Sequence, residues 1–464
     1  MLANLPFGKR YLGSINGVSL IALFIAIVTS AVSFLIADTD WATKNTVGLG
    51  WVTVAQYLAL SLCMFVVWKF GPQSNRLRDF VGIITIAIII RAILVPVSPY
   101  TSNDVDRYLF DGKVALSGFD PYRTNHNAPT LKALRAEWPT PEEHAKYPTL
   151  YPPGAIGLYA LSAASGADNA ALVWKSLSFF ASALTVIFMA LVLLSVGNLK
   201  HLSLVALSPI LIFEAGVGAH IDAFSTLAVA ASLYAYQRKL FVYAGVAIGL
   251  GTLSKLLPVL LLLPLFFSMN KLRDATKLVI GALATVGLGY VIAIVLGMQP
   301  IGSTPVFFEK WRNAAPLFDL LNIFLSGYTL VFFIGLITVG AFVIVTLWTW
   351  NQSPKNEKNT LLAISPALQW VLIVPLLLSP VVFPWYLMVL VPLFALRPTF
   401  FLSAWFTLLP LSYLVLNKFA CCGIWAPLEW TNYLLAVGLV LGLLFDQLFL
   451  SCKPTESCSH GQIA

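Results

Sequence analysis

Charge is scarce in this chain. Lys, Arg, Asp and Glu make up 10% of its 464 residues, against about 25% in an average soluble domain. With 59% hydrophobic residues and a mean hydropathy of +0.84, the chain can neither hide its apolar surface in a soluble core nor stay disordered. Cysteine is scarce as well. Cys63, Cys421, Cys422, Cys452 and Cys458 show no zinc or haem spacing, and five in so long a chain exclude a disulfide scaffold. A bridge between the neighbours Cys421 and Cys422 would be strained, so free thiols are expected. There is also no Gly-rich strand-to-helix fingerprint for a nucleotide.

What the chain has instead is long apolar runs, and the fold class they point to is an all-α polytopic membrane protein of about 12–14 transmembrane helices. Spans fall near 15–36, 50–70, 79–97, 169–197, 202–215, 221–237, 240–254, 256–270, 276–296, 328–350, 361–380, 384–396, 399–416 and 431–450. The first follows Lys9 and Arg10, and its run of about 22 residues exceeds a cleavable h-region, which predicts an uncleaved anchor. With the N-terminus in the cytoplasm, the inner loops hold most Lys and Arg, among them Lys69, Arg76, Lys200, Lys271, Arg273, Lys277, Lys355, Lys358, Arg397 and Lys453. Short outer loops keep Lys44, Lys310, Arg312 and Lys418. This positive-inside asymmetry absorbs most of the +8 net charge and leaves no basic groove for nucleic acid.

The expected organisation is three N-terminal spans (1–97), an extracytoplasmic acidic loop (98–152), a re-entrant segment and transmembrane core (153–296), an extracytoplasmic amphipathic loop (297–327), C-terminal spans (328–450) and a cytoplasmic tail (451–464). The second loop mixes Phe307, Phe308, Trp311 and Phe318 with Glu309, Lys310 and Arg312, a pattern suited to an interface. The stretch 153–166 is too short to cross. Counting it as a span would invert every later loop.

The acidic loop opens with Thr101-Ser102-Asn103-Asp104-Val105-Asp106-Arg107-Tyr108 and runs to Gly118. Ser102 or Asn103 can cap a helix there and Gly118 can end it. On such a helix Asp104, Arg107, Tyr108 and Asp111 share one face while Asp106 points elsewhere. A solvated surface helix with local ion pairs is the competing reading. Arg91, Lys175 and Lys255 stand near span ends, where an ionisable group is a functional candidate by default, with snorkelling as the alternative. His220 and Asp222 also suit helix capping, and Trp385 and Tyr386 suit an interfacial belt.

Five motifs in order change the weighting: D-V-D-R-Y-L-F-D-G from Asp104, G-F-D-P-Y from Gly118, Y-P-P from Tyr151, G-A-H-I-D-A from Gly218 and P-W-Y from Pro384. Over about residues 95–400 the chain resembles bacterial polytopic glycosyltransferases of the GT-C superfamily, especially the mannosyltransferase-like members that use polyprenyl-phosphate sugars. Ala219 and Ile221 stand where the family's turn carries asparagines. The resemblance implies an integral membrane enzyme of the inner or plasma membrane with a helical first outer loop and an extracytoplasmic active site. It implies transfer of mannose, or a related hexose or pentose, to an envelope glycan, lipid or protein, with inversion. Asp104 best matches the catalytic position and Asp106 is second. Arg107, Lys255 and Arg91 become carrier-phosphate ligands, and Tyr108, Asp111, Tyr151, His220, Asp222, Trp385 and Tyr386 become substrate-binding candidates. No cofactor is demanded, since metal-ligand spacing is lacking, although a D-x-D leaves a divalent cation open. The rival functions are a transporter or lipid-linked oligosaccharide flippase, against which stands the lack of an internal repeat, and an inactive scaffold.

Overall fold

The computed structural model describes residues 15–38, 48–138, 140–142, 145–303, 309–352 and 360–451. Lys9, Arg10, Lys44, Glu143, Phe307, Phe308, Lys355, Lys358, Cys452, Lys453 and Cys458 lie outside these residues. The described chain is helical and contains no β-strand, and an isolated parallel bridge joins Asn313 to Val381. Nine helices among the described residues are long and apolar enough to cross a membrane. Shorter apolar helices at Phe241–Ser254, Leu257–Phe267 and Pro384–Leu396 account for part of the larger number expected. Runs of 11 to 14 residues such as these look like spans in sequence yet fall short of the roughly 20 a straight crossing needs.

The N-terminal spans are α1 (Gly17–Ala31, continued by Ser33–Ala37), α2 (Leu49–Phe70) and α3 (Val81–Leu94). The polar loop then forms α4 (Asp104–Leu116), and α5 (Pro153–Ala163) packs against it. With 11 residues, α5 covers about half a crossing, in keeping with a segment that does not span. The helix α4 starts where Ser102 Oγ accepts the Asp104 N–H at 3.0 Å. It ends at Gly118, whose φ of 81° is the left-handed stop that glycine tolerates best. Where the two helices meet, a side chain on Gly112 would fall 2.3 Å from the Tyr159 backbone, so only glycine lets them touch this closely.

The central elements are α6 (Ala167–Ser195), α7 (Pro209–Gly216), α8 (Asp222–Gln237), α9 (Phe241–Ser254) and α10 (Leu272–Val295). The stretch before α7 is broken, because Pro209 has no N–H for the Val205 carbonyl four residues back. Arg91 repairs the break. Its guanidinium donates to Val205 O at 3.3 Å, Ala206 O at 2.8 Å, Ala87 O at 2.9 Å and Ser182 Oγ at 2.7 Å. The C-terminal part comprises α11 (Pro316–Phe324), α12 (Gly327–Gln352), α13 (Thr360–Leu377), α14 (Phe400–Leu408) and α15 (Glu429–Ser451).

One large apolar core runs through the spans, and a second, richer in aromatics, lies under α4 and α5. The two polar loops expected outside are tied to each other. Ser303 Oγ donates to Pro148 O at 2.8 Å, and the Gln299 N–H donates to Asp120 Oδ2 at 2.9 Å. One expectation fails here: Cys422 is in a disulfide, whereas Cys63 is a buried free thiol.

Candidate active site

A cavity of about 440 Å³ opens beside the first turn of α4. Asp104, Arg107, Tyr151, Lys255, Trp385 and Tyr386 all stand on its wall, although they come from four separate stretches of chain. Asp104 is 9% exposed and accepts a hydrogen bond from Tyr108 at 3.3 Å. Arg107 is buried with its guanidinium over the Tyr151 ring at 5.5 Å. Among the described residues no carboxylate is within ion-pair distance of it. Burial works against this cation, yet Tyr151, Asp111 and Asp104 together raise its pKa, so it remains charged. Burial pushes the Tyr108 and Tyr151 phenols well above their ordinary range, which makes them donors and not bases at neutral pH.

Lys255 follows α9 directly and turns its ammonium to both oxygens of Asp222, at 2.7 and 2.8 Å. The same ammonium lies 3.9 Å from the centre of the Tyr386 ring. Asp222 is buried, begins α8 and does not line the cavity. It fixes the lysine and leaves its charge facing an open volume. His220 stands behind the wall, its ring stacked on Trp385 at 3.9 Å, and Trp385 stacks in turn on Phe383 at 4.3 Å.

Other expected residues have different surroundings. Asp106 is exposed on the opposite side of α4. Asp111 is fully buried and accepts from Thr149 Oγ1 at 2.7 Å, while His126 Nε2 approaches its other oxygen at 2.7 Å. Its carboxylate thus pins the loop after α4 and does not reach the cavity. Arg91 was expected to bind phosphate; in the structure it makes four hydrogen bonds within the helix packing before α7 and lines neither cavity described here. Lys175 likewise donates to the Val97 carbonyl.

Residues not foreseen complete the site. Phe383, Trp311, Asn313, Tyr413 and Trp425 share the cavity wall. Glu214, in α7, is fully buried 3.4 Å from His220 Nε2. An acid inside an apolar span is a functional candidate on its own, so Glu214 had a signal that went unread. The aromatics had none, because they are indistinguishable from interfacial or packing residues by spacing. Among the described residues no three His, Cys, Asp or Glu side chains converge as a metal site requires.

A second cavity, about 1000 Å³, adjoins the first and shares Leu150, Tyr151, Lys255 and Tyr386 with it. Its far wall is apolar and includes Leu330, Val331 and Ile334 of α12 and Leu376 of α13. Val331 is 69% exposed, so this groove lies on the lipid-facing side of the helices.

Residues 12–270, more than half of the chain, match the family described as MptA_B family: alpha-(1->6)-mannopyranosyltransferase, N-terminal domain. The chain belongs to the alpha-(1->6)-mannopyranosyltransferase family. No curated protein and no solved structure matches it. Family and helices together make this a multi-pass membrane mannosyltransferase. The family match spans α4, Asp104, Arg107, Tyr151, His220, Asp222 and Lys255. Trp385 and Tyr386 are brought to the site from beyond it.

Proposed function

We propose that this mannosyltransferase takes mannose from a polyprenyl monophosphate and passes it, with inversion, to a hydroxyl of an envelope glycan, lipid or protein on the outer face of the membrane. The observation that carries the reading is the junction of two cavities. One holds Asp104 and Arg107; the other runs between helices along Leu330, Val331 and Ile334, with Glu309 and Arg312 also on its wall. Lys255 stands on their shared wall. A lipid-linked sugar has this same division, with a long apolar chain, one phosphate and a polar sugar.

In this reading the isoprenoid chain follows the groove past α12, and the phosphate sits near Lys255 and Arg107. Asp104 accepts the proton of the acceptor hydroxyl as that oxygen bonds to the anomeric carbon. The bond from that carbon to the phosphate oxygen breaks, and the departing phosphate takes the electron pair while the two cations stabilise its charge. Tyr108 orients Asp104, and Trp385 and Tyr386 offer ring faces to the sugar. A nucleotide sugar fits poorly, having no chain to fill the groove.

The test supplies purified protein with either polyprenyl-phosphate mannose or a nucleotide-linked mannose, together with a mannoside acceptor. Transfer is expected from the lipid donor and not from the nucleotide. Efficient transfer from the nucleotide sugar, without any lipid-linked donor, would overturn the reading. In the same assay Lys255→Ala is expected to lower the rate with the lipid donor while the protein still inserts.

A further inference from the structure

The imidazole of His220 stands between two carboxylates. Its Nδ1 lies 3.3 Å from Asp104 Oδ2 and its Nε2 lies 3.4 Å from Glu214 Oε2. The ring is fully buried and clamped flat against Trp385, so it cannot turn aside from either. Neither nitrogen has a hydrogen-bond partner, so the two carboxylates face the ring by charge proximity and not by aligned hydrogen bonds. Glu214 is held in turn: Tyr57 donates to its Oε1 at 2.6 Å, and the Tyr413 hydroxyl lies 2.8 and 2.9 Å from its two oxygens. The backbone closes the unit, for the His220 N–H donates to the Glu214 carbonyl at 2.9 Å. A side chain on Gly218 would fall 2.5 Å from His220 Nε2 and 3.3 Å from Glu214 Oε2, between the two groups.

A neutral imidazole carries a single N–H, so one of its nitrogens would set a lone pair against a carboxylate. A doubly protonated ring instead sets a positive charge between two carboxylate oxygens 3.3 and 3.4 Å away. The hydroxyls of Tyr57 and Tyr413 donate to Glu214, so its oxygens act as acceptors toward them. We propose that Glu214 is a positioning residue: through His220 it maintains a cation behind Asp104, so that Asp104 stays ionised and aimed into the cavity when an anionic phosphate enters. Without that cation, a phosphate beside Asp104 would drive the carboxylate to take up a proton, and a protonated carboxyl is no base. The other ionisable groups nearby are Arg107 and Tyr108, beside Asp104 on α4, and Asp222, which faces the ring from α8 and is already paired with Lys255. The inference rests on Asp104 being the base of the proposed transfer.

The experiment uses full-length protein in liposomes, with Glu214→Gln and Gly218→Ala as the variants. The first removes the distal charge, and the second inserts a methyl group between Glu214 and His220 with every charge kept. Two readouts are taken. In ¹⁵N-histidine-labelled protein, with His220 identified by its loss in His220→Gln, wild type is expected to show both ring nitrogens protonated at neutral pH, and each variant to show one protonated nitrogen. With polyprenyl-phosphate mannose as donor, kcat at neutral pH is expected to fall about tenfold or more while KM stays within about threefold. The acid limb of rate against pH should move up by about one unit or more, the usual effect of losing a neighbouring cation. The direction follows from the sign: a carboxylate without its cation takes up its proton at higher pH. A singly protonated ring in wild type, or an acid limb unmoved in both variants, overturns the inference. The ring readout needs no turnover. A doubly protonated ring in a protein that transfers nothing from the lipid donor would therefore remove the proposed donor and leave the proton arrangement supported.

Discussion

Asp104 and Asp106 are two residues apart and share the same motif, yet the helix sends them to opposite sides. Two residues on an α-helix differ by about 200° around the axis, so a cavity that meets one cannot meet the other. Asp104 lies on the cavity wall, while Asp106 is exposed on the far side. Asp104→Asn keeps the shape and the hydrogen bond from Tyr108 but removes the proton acceptor, and kcat is expected to fall by at least about 100-fold. Rates from purified variants check this. A wild-type rate in Asp104→Asn, with the loss appearing instead in Asp106→Asn, would transfer the role to Asp106. Lys255 is instructive at the same scale. Its bond to Asp222 neutralises the pair but still leaves the ammonium on the wall of both cavities.

Among the elements, the break before α7 decides how the centre of the molecule is built. Proline at 209 cannot donate to the Val205 carbonyl, which accepts the Ser208 N–H at 3.3 Å instead, in a region where water is not available to complete the turn. Arg91 reaches this turn from α3, and Ser182 of α6 accepts the remaining donor. The break turns α7 so that Glu214 and the turn carrying His220 stand behind the cavity. Arg91→Met is therefore expected to act on stability first. Removing the donor to the buried Ala206 carbonyl costs about 1–3 kcal/mol, which should appear as a lower melting temperature in detergent, with kcat per folded molecule within about threefold of wild type. A normal melting temperature with a raised KM for the lipid donor would instead return Arg91 to phosphate binding. The contact of α4 with α5 at Gly112 is a second such element-level device, since only a residue without a side chain lets the two helices approach this closely.

For the whole molecule the open question is which way it faces. Lysine and arginine asymmetry predicts that 98–152 and 297–327 lie outside and that the turn before α10 lies in the cytoplasm. The ties between the two polar loops, through Ser303 and Asp120, require them to share one side. Thr130 and Arg273 are both exposed, so cysteines placed there report the topology. In intact cells an impermeant thiol reagent is expected to label Thr130→Cys and spare Arg273→Cys, above the background of the native cysteines. The opposite pattern would invert the molecule and place the proposed chemistry in the cytoplasm.

The sequence by itself determined the class of the molecule, because mean hydropathy and charge scarcity leave only the bilayer as a solvent. It also determined the acidic helix, since Ser102 before and Gly118 after mark its ends through local backbone chemistry. Five ordered motifs were enough to suggest the mannosyltransferase resemblance that the family match bears out. The tertiary structure alone decided which charged residues reach the cavity. Arg91, Lys175 and Lys255 look alike in sequence, each a cation at the end of an apolar run. Only packing shows that the first two are held by backbone carbonyls and that the third faces open space. The same holds for Glu214, whose distance from Asp104 in the chain conceals their common neighbour. A histidine between two carboxylates is a relation among three elements, and periodicity along one chain carries no information about it.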